Sequence, residues 1–354
     1  MFPRNFWYVA AWDWEVRRHE LFRRTICDEP IVFWRKEDGT PAALEDRCCH
    51  RHMPLSQGKL RGDNVECLYH GMTYDCTGAC IHVPSQKTIP PSAKVRSYPI
   101  AERYHWVWVW MGDPALADPA LIADFHWMDD PAWRFKGERL ELEGNYLLLV
   151  DNLLDLTHLQ FVHATTLGTA AISANPIKTE REDNLVRVTR WIMDSPAPPF
   201  FRKAGGFGAD EHVDRWQIIE YTSPAFVRLD VGCARTGTGA RDGNRAQGIS
   251  MRNLNAITPE TATKTHYFWS QAHNFALDDP TLTEMIFRQV HTAFLEDLVV
   301  IKGQQMNYDA LGERLPAQID FNQDAGGLQA RRIVDGILAS EGNTFTPARS
   351  YGRI

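Results

Sequence analysis

The stretch RCCHRHMPLSQGKLRGDNVECLYHG, residues 47–71, decides how this chain is read. It holds Cys48-x-His50 and then, beyond residues 51–66, Cys67-x-x-His70. Each half offers one thiolate and one imidazole, donors that suit iron and zinc alike. Structural Cys2His2 zinc sites usually pair Cys with Cys in one knuckle and His with His in the other. Here both knuckles are mixed. Two mixed loops suit a dinuclear centre in which each loop sends its Cys to one iron and its His to the other. The expectation is a [2Fe–2S] cluster held by Cys48, Cys67, His50 and His70, with two histidines raising the reduction potential of one iron. Such a centre moves electrons.

The rest of the composition is ordinary. A chain of 354 residues has room for about two domains. Its apolar content of 44% and charged content of 23% are those of a globular protein. A net charge of −7 argues against nucleic-acid binding, which needs a basic surface. Of seven cysteines, two belong to the cluster motif. The others, Cys27, Cys49, Cys76, Cys80 and Cys233, show no disulfide-scaffold spacing and read as reduced thiols. The start, MFPRNFWYVAAW, lacks a basic segment followed by a long apolar one. No run reaches the ~20 apolar residues of a membrane helix. A cytoplasmic location without a membrane anchor is expected.

Residues 1 to about 112 read as strands broken by Asp38-Gly39, Arg61-Gly62-Asp63-Asn64 and Thr77-Gly78 turns. We place the domain boundary so that residues 1–115 form an all-β domain carrying the cluster loops and residues 116–354 a second domain. In that second domain a helix is expected over about 144–163, strands over about 178–270, a mobile glycine-containing loop near 202–213, a long helix over about 280–306 and another near 328–340. Strands followed by one long late helix make the class α+β.

Within the first of these helices lies DNLLDLTHLQFVH, residues 151–163. His158 and His163 are five apart, so on an ideal helix their directions differ by about 140°. Both reach one metal if the helix ends, bends or widens there, as helices do at functional sites. The H-E-x-x-H spacing of zinc proteases is absent. Two histidines and one carboxylate form the facial triad of non-haem Fe(II) oxygenases. Asp297, in the apolar run FLEDLVV, is the candidate third ligand, with Glu296 beside it expected to be a solvated surface residue. Asp155, three residues before His158, is placed to accept a hydrogen bond from that ring, with Asn152 and Asp151 extending the polar network. Taken alone, a pair of satisfied core histidines is the alternative, the lesser of the two readings. A single-electron donor in the same chain favours the metal, because an iron that activates O2 takes electrons one at a time.

These residues carry a family resemblance. The chain resembles the Rieske non-haem iron oxygenases, in the branch of the vanillate O-demethylase oxygenase component, dicamba O-demethylase and toluenesulfonate methyl-monooxygenase. The likeness rests on Arg51, Pro54, Leu55, Gly58, Tyr69-His70-Gly71-Met72 and Asp75 to Cys80 around the cluster. It continues through Asn5 to Ala10, Val107 to Trp110, Asp151 to His158, Val213-Asp214-Arg215-Trp216-Gln217, Tyr267-Phe268-Trp269 and Glu296-Asp297. Cys49 departs from the pattern, standing where the family often has proline. The resemblance implies a Rieske [2Fe–2S] domain followed by a helix-grip (START/Bet v1-like) catalytic domain. It implies one Rieske cluster and one mononuclear Fe(II) per subunit. It also implies homotrimers in which electrons pass from His70 of one chain through Asp155 of its neighbour to His158. An NAD(P)H-dependent reductase with flavin and its own [2Fe–2S] cluster would supply them.

On this basis the expected activity is O2-dependent O-demethylation of a methoxylated aromatic acid to a phenol and formaldehyde. Asn255, which shares a strand face with Asn253, aligns with the family's substrate-contacting strand; an edge or turn asparagine is the plainer alternative. Arg288 falls about 180° from Asp297 on an unbroken helix and reads as a surface residue. Hydroxylation of an arenesulfonate methyl group or of an aromatic ring is the alternative chemistry. A bare electron carrier would need only the first ~110 residues, and a zinc-stabilised binding module would leave the second ligand set unexplained.

Overall fold

The computed structural model describes residues 1–163 and 175–342. The chain divides into two units, one formed by Phe2–Ile122 with Thr258–Ala262, the other by Ala123–Ile257 and the chain from Thr263 onward.

The first unit is built from three small antiparallel sheets. Strands β1 (Phe6–Trp12), β2 (Phe22–Ile26), β3 (Glu29–Arg35), β4 (Pro41–Glu45), β5 (Lys59–Arg61), β6 (Asn64–Glu66), β7 (Thr73–Tyr74), β8 (Cys80–His82), β9 (Ile100–Arg103) and β10 (Trp106–Met111) follow in chain order. They assemble as β1-β10-β9, β2-β3-β4 and β5-β6-β7-β8. Every residue of β10, WVWVWM, is buried, as expected of a continuous apolar run covered on both faces. Two of its indoles stay satisfied: Trp108 donates to the Arg103 carbonyl at 3.0 Å and Trp110 to the Asp113 carbonyl at 2.8 Å. A second apolar cluster, including Trp34, Leu44, Leu55, Val65, Tyr74 and Val95, lies beneath Cys48 and Cys67.

The second unit is one seven-stranded antiparallel sheet in the order β11-β17-β16-β15-β14-β13-β12. Its strands are β11 (Arg134–Leu142), β12 (Ile177–Glu182), β13 (Leu185–Pro196), β14 (His212–Thr222), β15 (Phe226–Arg235), β16 (Ile249–Thr261) and β17 (Lys264–His273). Helices α1 (Tyr146–Leu154), α2 (Leu159–Val162), α3 (Pro199–Gly205), α4 (Pro280–Leu311) and α5 (Ala325–Ser340) accompany it. Asp279 starts α4 by accepting from the amides of Thr281 and Leu282, with Pro280 at the first turn. The helix then lies on the sheet through aromatic packing. Phe287 stacks on Trp269 at 5.1 Å between centroids, and Phe294 meets Trp269 edge-on at 4.9 Å. Gly326 and Gly327 let α5 approach closely: a Cβ on Gly326 would stand 2.7 Å from a Val188 methyl, and one on Gly327 2.7 Å from the Asp151 carboxylate. A long helix on an antiparallel sheet is the α+β, helix-grip arrangement the resemblance implies.

Four expectations need correction. The helix over 144–163 is two helices, because Asp155 adopts an extended backbone (φ −95°, ψ 116°) after Leu154. The loop near 202–213 begins as helix α3, which Gly206 ends in the left-handed region at φ 67°. The long helix continues past residue 306 to Leu311, and the last one begins at Ala325.

Candidate metal centres

The two cluster loops share one backbone frame. The Cys48 amide donates to the Met53 carbonyl (2.9 Å), and the Cys67 amide donates to that of Met72 (2.8 Å). The Cys48 carbonyl accepts from His52 and the Cys67 carbonyl from Gly71, each at 3.0 Å. Both donors four residues on are left-handed, His52 at φ 59° and Gly71 at φ 69°. Buried Asp46 anchors the first loop by accepting from the Ser56 amide (2.6 Å) and hydroxyl (2.8 Å). Both cysteines are 2% exposed, while His50 and His70 are exposed with ring centroids 4.6 Å apart. The donor set is thus split: sulfur inward, imidazole outward. That split fits a two-iron cluster better than a single tetrahedral ion.

Tyr74 reaches the cysteines of the first loop. Its hydroxyl lies 3.1 Å from Cys48 Sγ and 3.2 Å from Cys49 Sγ. Burial, then the neighbouring Cys48 and Cys49, push its pKa well above the usual phenol range, so it remains a donor toward sulfur. Cys49 is half-buried against this hydroxyl.

The second centre forms where the chain leaves α1. His158 and His163 cap the two ends of the one-turn helix α2, with ring centroids 5.1 Å apart. Asp297 comes from the middle of α4 and is buried. Its Oδ1 lies 3.5 Å from His158 Nε2 and 3.2 Å from His163 Nε2. Two ligands at right angles around one ion stand about 3 Å apart, close to the two distances from Asp297, and the three donors all lie within 4.8 Å of one another. Among the described residues, these three side chains are the set of metal-ligand types that converges on one point.

Two of the three donors, His163 and Asp297, have a hydrogen-bonded neighbour that sets their orientation. His163 Nδ1 bonds Glu296 Oε2 at 2.8 Å, which leaves Nε2 for a metal. Asn152 donates to Asp297 Oδ1 at 3.0 Å. Asp155 Oδ2 lies 3.6 Å from His158 Nδ1, just outside hydrogen-bonding distance, while its Oδ1 accepts from the Thr157 amide and hydroxyl at 2.6 Å each. Burial disfavours a charged His163, but Asp297 and Glu296 outweigh it and raise the ring's pKa. Burial likewise opposes ionised Asp155, but His158 and Thr157 outweigh it and hold the carboxylate below its usual range.

The second-sphere expectations change accordingly. Glu296 is not a solvated bystander: its side chain is 28% exposed and grips His163. Asn152 serves Asp297, and Asp151 turns to Arg331 at 2.9 Å, so neither extends the Asp155 network. Adjacent helix residues point about 100° apart. Glu296 and Asp297 nevertheless both reach His163, because the ring lies between them and presents a nitrogen to each. That arrangement is tertiary and leaves no local signal.

On the sheet, Asn255 is 0% exposed and fully engaged. Its amide donates to the Val227 carbonyl (2.9 Å) and Asn253 Oδ1 (2.8 Å), and its oxygen accepts from the Tyr267 hydroxyl (2.6 Å). Arg288 is largely exposed and pairs with Glu284 at 2.7 Å.

With both centres in view, the family can be given. Residues 6–99 match the Rieske [2Fe-2S] domain, and residues 142–340 match the vanillate O-demethylase oxygenase C-terminal domain. The chain belongs to the Rieske non-haem iron oxygenases. It is 43% identical to the iron-sulfur subunit of the toluene-4-sulfonate monooxygenase system of Comamonas testosteroni, over 98% of this chain and 100% of that one. It is 41% identical to the vanillate O-demethylase oxygenase subunit of Pseudomonas sp. (strain HR199 / DSM 7063), over 96% of each. The crystal structure of dicamba monooxygenase bound to dicamba superposes with a TM-score of 0.87 at 33% identity, covering 96% of this chain and 99% of that one. The chain is therefore the oxygenase component of a multicomponent system that needs a reductase, with a Rieske cluster and a mononuclear iron as cofactors. No helix among the described residues is long and apolar enough to cross a membrane.

Proposed function

We propose that this oxygenase O-demethylates a methoxylated aromatic acid of the vanillate kind. The overall change converts the aryl methyl ether, O2, two electrons and two protons to a phenol, formaldehyde and water. The observation that carries the reading is the convergence of His158, His163 and Asp297 in a chain that aligns with almost the whole length of an O-demethylase subunit. Cys48 and Cys67 would hold one iron of the cluster and His50 and His70 the other, with His158, His163 and Asp297 holding the mononuclear iron. Bound there, the metals supply electron delivery and O2 activation. The protein's part is to orient and to exclude water. Glu296 leaves Nε2 of His163 as the free donor, Asn152 fixes the rotamer of Asp297, and Asp155 stiffens the turn that presents His158.

Asp155 is also the proposed relay to His158 from His70 of a neighbouring copy in a homotrimer. The electrons would come from a cytoplasmic NAD(P)H-dependent reductase carrying flavin and a [2Fe–2S] cluster. Asn255 would form part of the polar wall of the pocket, contacting substrate only by giving up one of its present bonds.

The comparable identity to the toluene-4-sulfonate system supports a second reading, hydroxylation of an arenesulfonate methyl group. One experiment separates them: aerobic turnover of methoxybenzoates and toluene-4-sulfonate with a surrogate reductase. The first reading predicts formaldehyde and phenol in equal amounts from a methoxybenzoate. Benzylic alcohol from the sulfonate, with no formaldehyde from any methoxybenzoate, would replace it with the second.

A further inference from the structure

Arg215 on β14 is a buried cation with no counter-charge bonded to it among the described residues. It is 8% exposed, and its side chain makes no hydrogen bond or ion pair with any described residue. Arg187 and Arg252 of the same sheet have carboxylate partners, Arg187 with Glu220 at 2.7 Å and Arg252 with Asp230, whereas buried Arg190 rests on neutral acceptors, the Leu156 carbonyl at 3.1 Å and Gln217 Oε1 at 3.5 Å. Asp214 beside it gives no help. Strand residues alternate faces, and Asp214 is occupied in accepting from the Asp194 amide at 3.0 Å. Guanidinium remains charged at any ordinary pH. Burying a charge costs several kcal/mol unless it is paired. Among the described residues its compensation is the Phe201 ring of α3, 5.5 Å from Cζ, and a cation–π contact offsets only about 1–2 kcal/mol.

The register shows where this cation lies. Arg215 stands opposite Ile192 on β13 and Cys233 on β15, and Gln217 stands opposite Arg190 and Val231. Directly opposed residues share a sheet face, and diagonal ones are about 7–8 Å apart. Arg190 donates to the Leu156 carbonyl at 3.1 Å, inside the link between Asp155 and His158. Arg215 is therefore on the helix-covered face, one diagonal step from the residue that holds the iron-bearing turn. Its surroundings are otherwise apolar and partly aromatic, with Val213, Ile249 and Phe275 in the same cluster. Opposite it, β13 has a register shift between Ile192 and Ser195, and bulges of this kind gather beside functional sites. The Ser195 hydroxyl, facing Val213 across that shift, is buried with no hydrogen-bond partner among the described residues.

We propose that Arg215 is the seat of the substrate's anionic head, a carboxylate or sulfonate on an aromatic ring, with Ser195 as an auxiliary donor. The assignment rests on the aromatic-acid reading above and gives it a specificity residue. The planar fork accepts a carboxylate through two parallel hydrogen bonds, while the apolar neighbours take the ring. Asn255, expected to do this work, is already committed to Tyr267, Asn253 and Val227.

The test is equilibrium binding to anaerobic holoenzyme, read by tryptophan fluorescence, with 3-methoxybenzoate, its neutral methyl ester and toluene-4-sulfonate as probes. Wild type should bind an anion far more tightly than the ester. Arg215→Met should weaken the favoured anion about 100-fold, within the range for losing one partner of a buried charge pair, and the ester less than about threefold. Arg215→Lys, which keeps the charge but loses the fork, should fall between them. The better-bound of the two anions identifies the head group. Equal affinity of wild type for acid, sulfonate and ester would overturn the proposal, and so would an anion preference that survives Arg215→Met. If the Met variant does not fold, the wild-type comparison and the Lys variant still decide. Absence of formaldehyde release from any methoxybenzoate would count against O-demethylation alone, because the binding measurement needs no turnover.

Discussion

Glu296→Ala should loosen the mononuclear iron without disturbing the cluster. The 2.8 Å bond between His163 Nδ1 and Glu296 Oε2 is charge-assisted, and such bonds contribute about 1.5–3 kcal/mol. Glu296 keeps 28% side-chain exposure, which places the loss near the lower figure. At about 1.4 kcal/mol per factor of ten, that is roughly a tenfold weaker site, at the bottom of the 10–100-fold range for ligand-orienting neighbours. Glu296→Gln retains a neutral acceptor and should lose roughly threefold. The assay is anaerobic Fe(II) titration against a competing chelator, with the visible absorption of the cluster as an internal control. An Ala variant that bound iron as tightly as wild type would refute the idea that this carboxylate governs His163. A variant that lost the cluster as well would show a general folding defect instead.

Other perturbations follow from the same geometry. Metal-free protein should lose thermal stability as pH rises. The raised pKa of His163, where Asp297 and Glu296 outweigh burial, adds stability that is whole below the unfolded value of 6.5 and is lost as pH climbs through the folded one. A melting temperature of the metal-free protein that stays flat from pH 6 to 9 would contradict this. Asp155→Ala should retain both metals yet slow the reoxidation of the reduced cluster during a single turnover; full turnover in that variant would end the relay assignment. Tyr74→Phe removes the donor 3.1 Å from Cys48 Sγ and should lower the cluster potential by about 40 mV, taking ~1 kcal/mol for the bond and 59 mV per tenfold. An unchanged midpoint in direct voltammetry would show that the hydroxyl does not favour the reduced state. Gly58→Ala should cut cluster content, since its Cβ would stand 2.2 Å from the Glu66 carbonyl oxygen, and normal visible absorption per chain would rule that clash out.

The parts of this molecule that could be read from sequence are those whose chemistry is written in residue type and spacing. Cys48, His50, Cys67 and His70 declare themselves through two mixed pairs on short loops. His158, His163 and Asp297 do so through ligand type and, for the aspartate, an apolar setting. The spacing of His158 and His163 was legible as a requirement that the helix end, bend or widen there, which the chain meets by making them the two caps of a one-turn helix, while the break after Leu154 left no such signal. Glu296 and Asn152 were illegible in their roles: each acts on a ligand more than a hundred residues away, and charge on a helix next to a buried residue ordinarily means solvent. Arg215 was hidden for a different reason. In VDRWQ it reads as an ordinary strand arginine, and only the register shows that the residues opposed to it, Ile192 on β13 and Cys233 on β15, are not acidic.

Iron and acid-labile sulfide counts on anaerobically loaded wild type and His158→Ala test the two-centre account most directly. Wild type should carry roughly three irons and two sulfides per chain, the sum of one [2Fe–2S] cluster and one mononuclear site. The variant should lose about one iron and keep both sulfides and the visible spectrum. Loss of sulfide in step with iron, or no loss of iron at all, would contradict the assignment of His158 to a separate mononuclear centre.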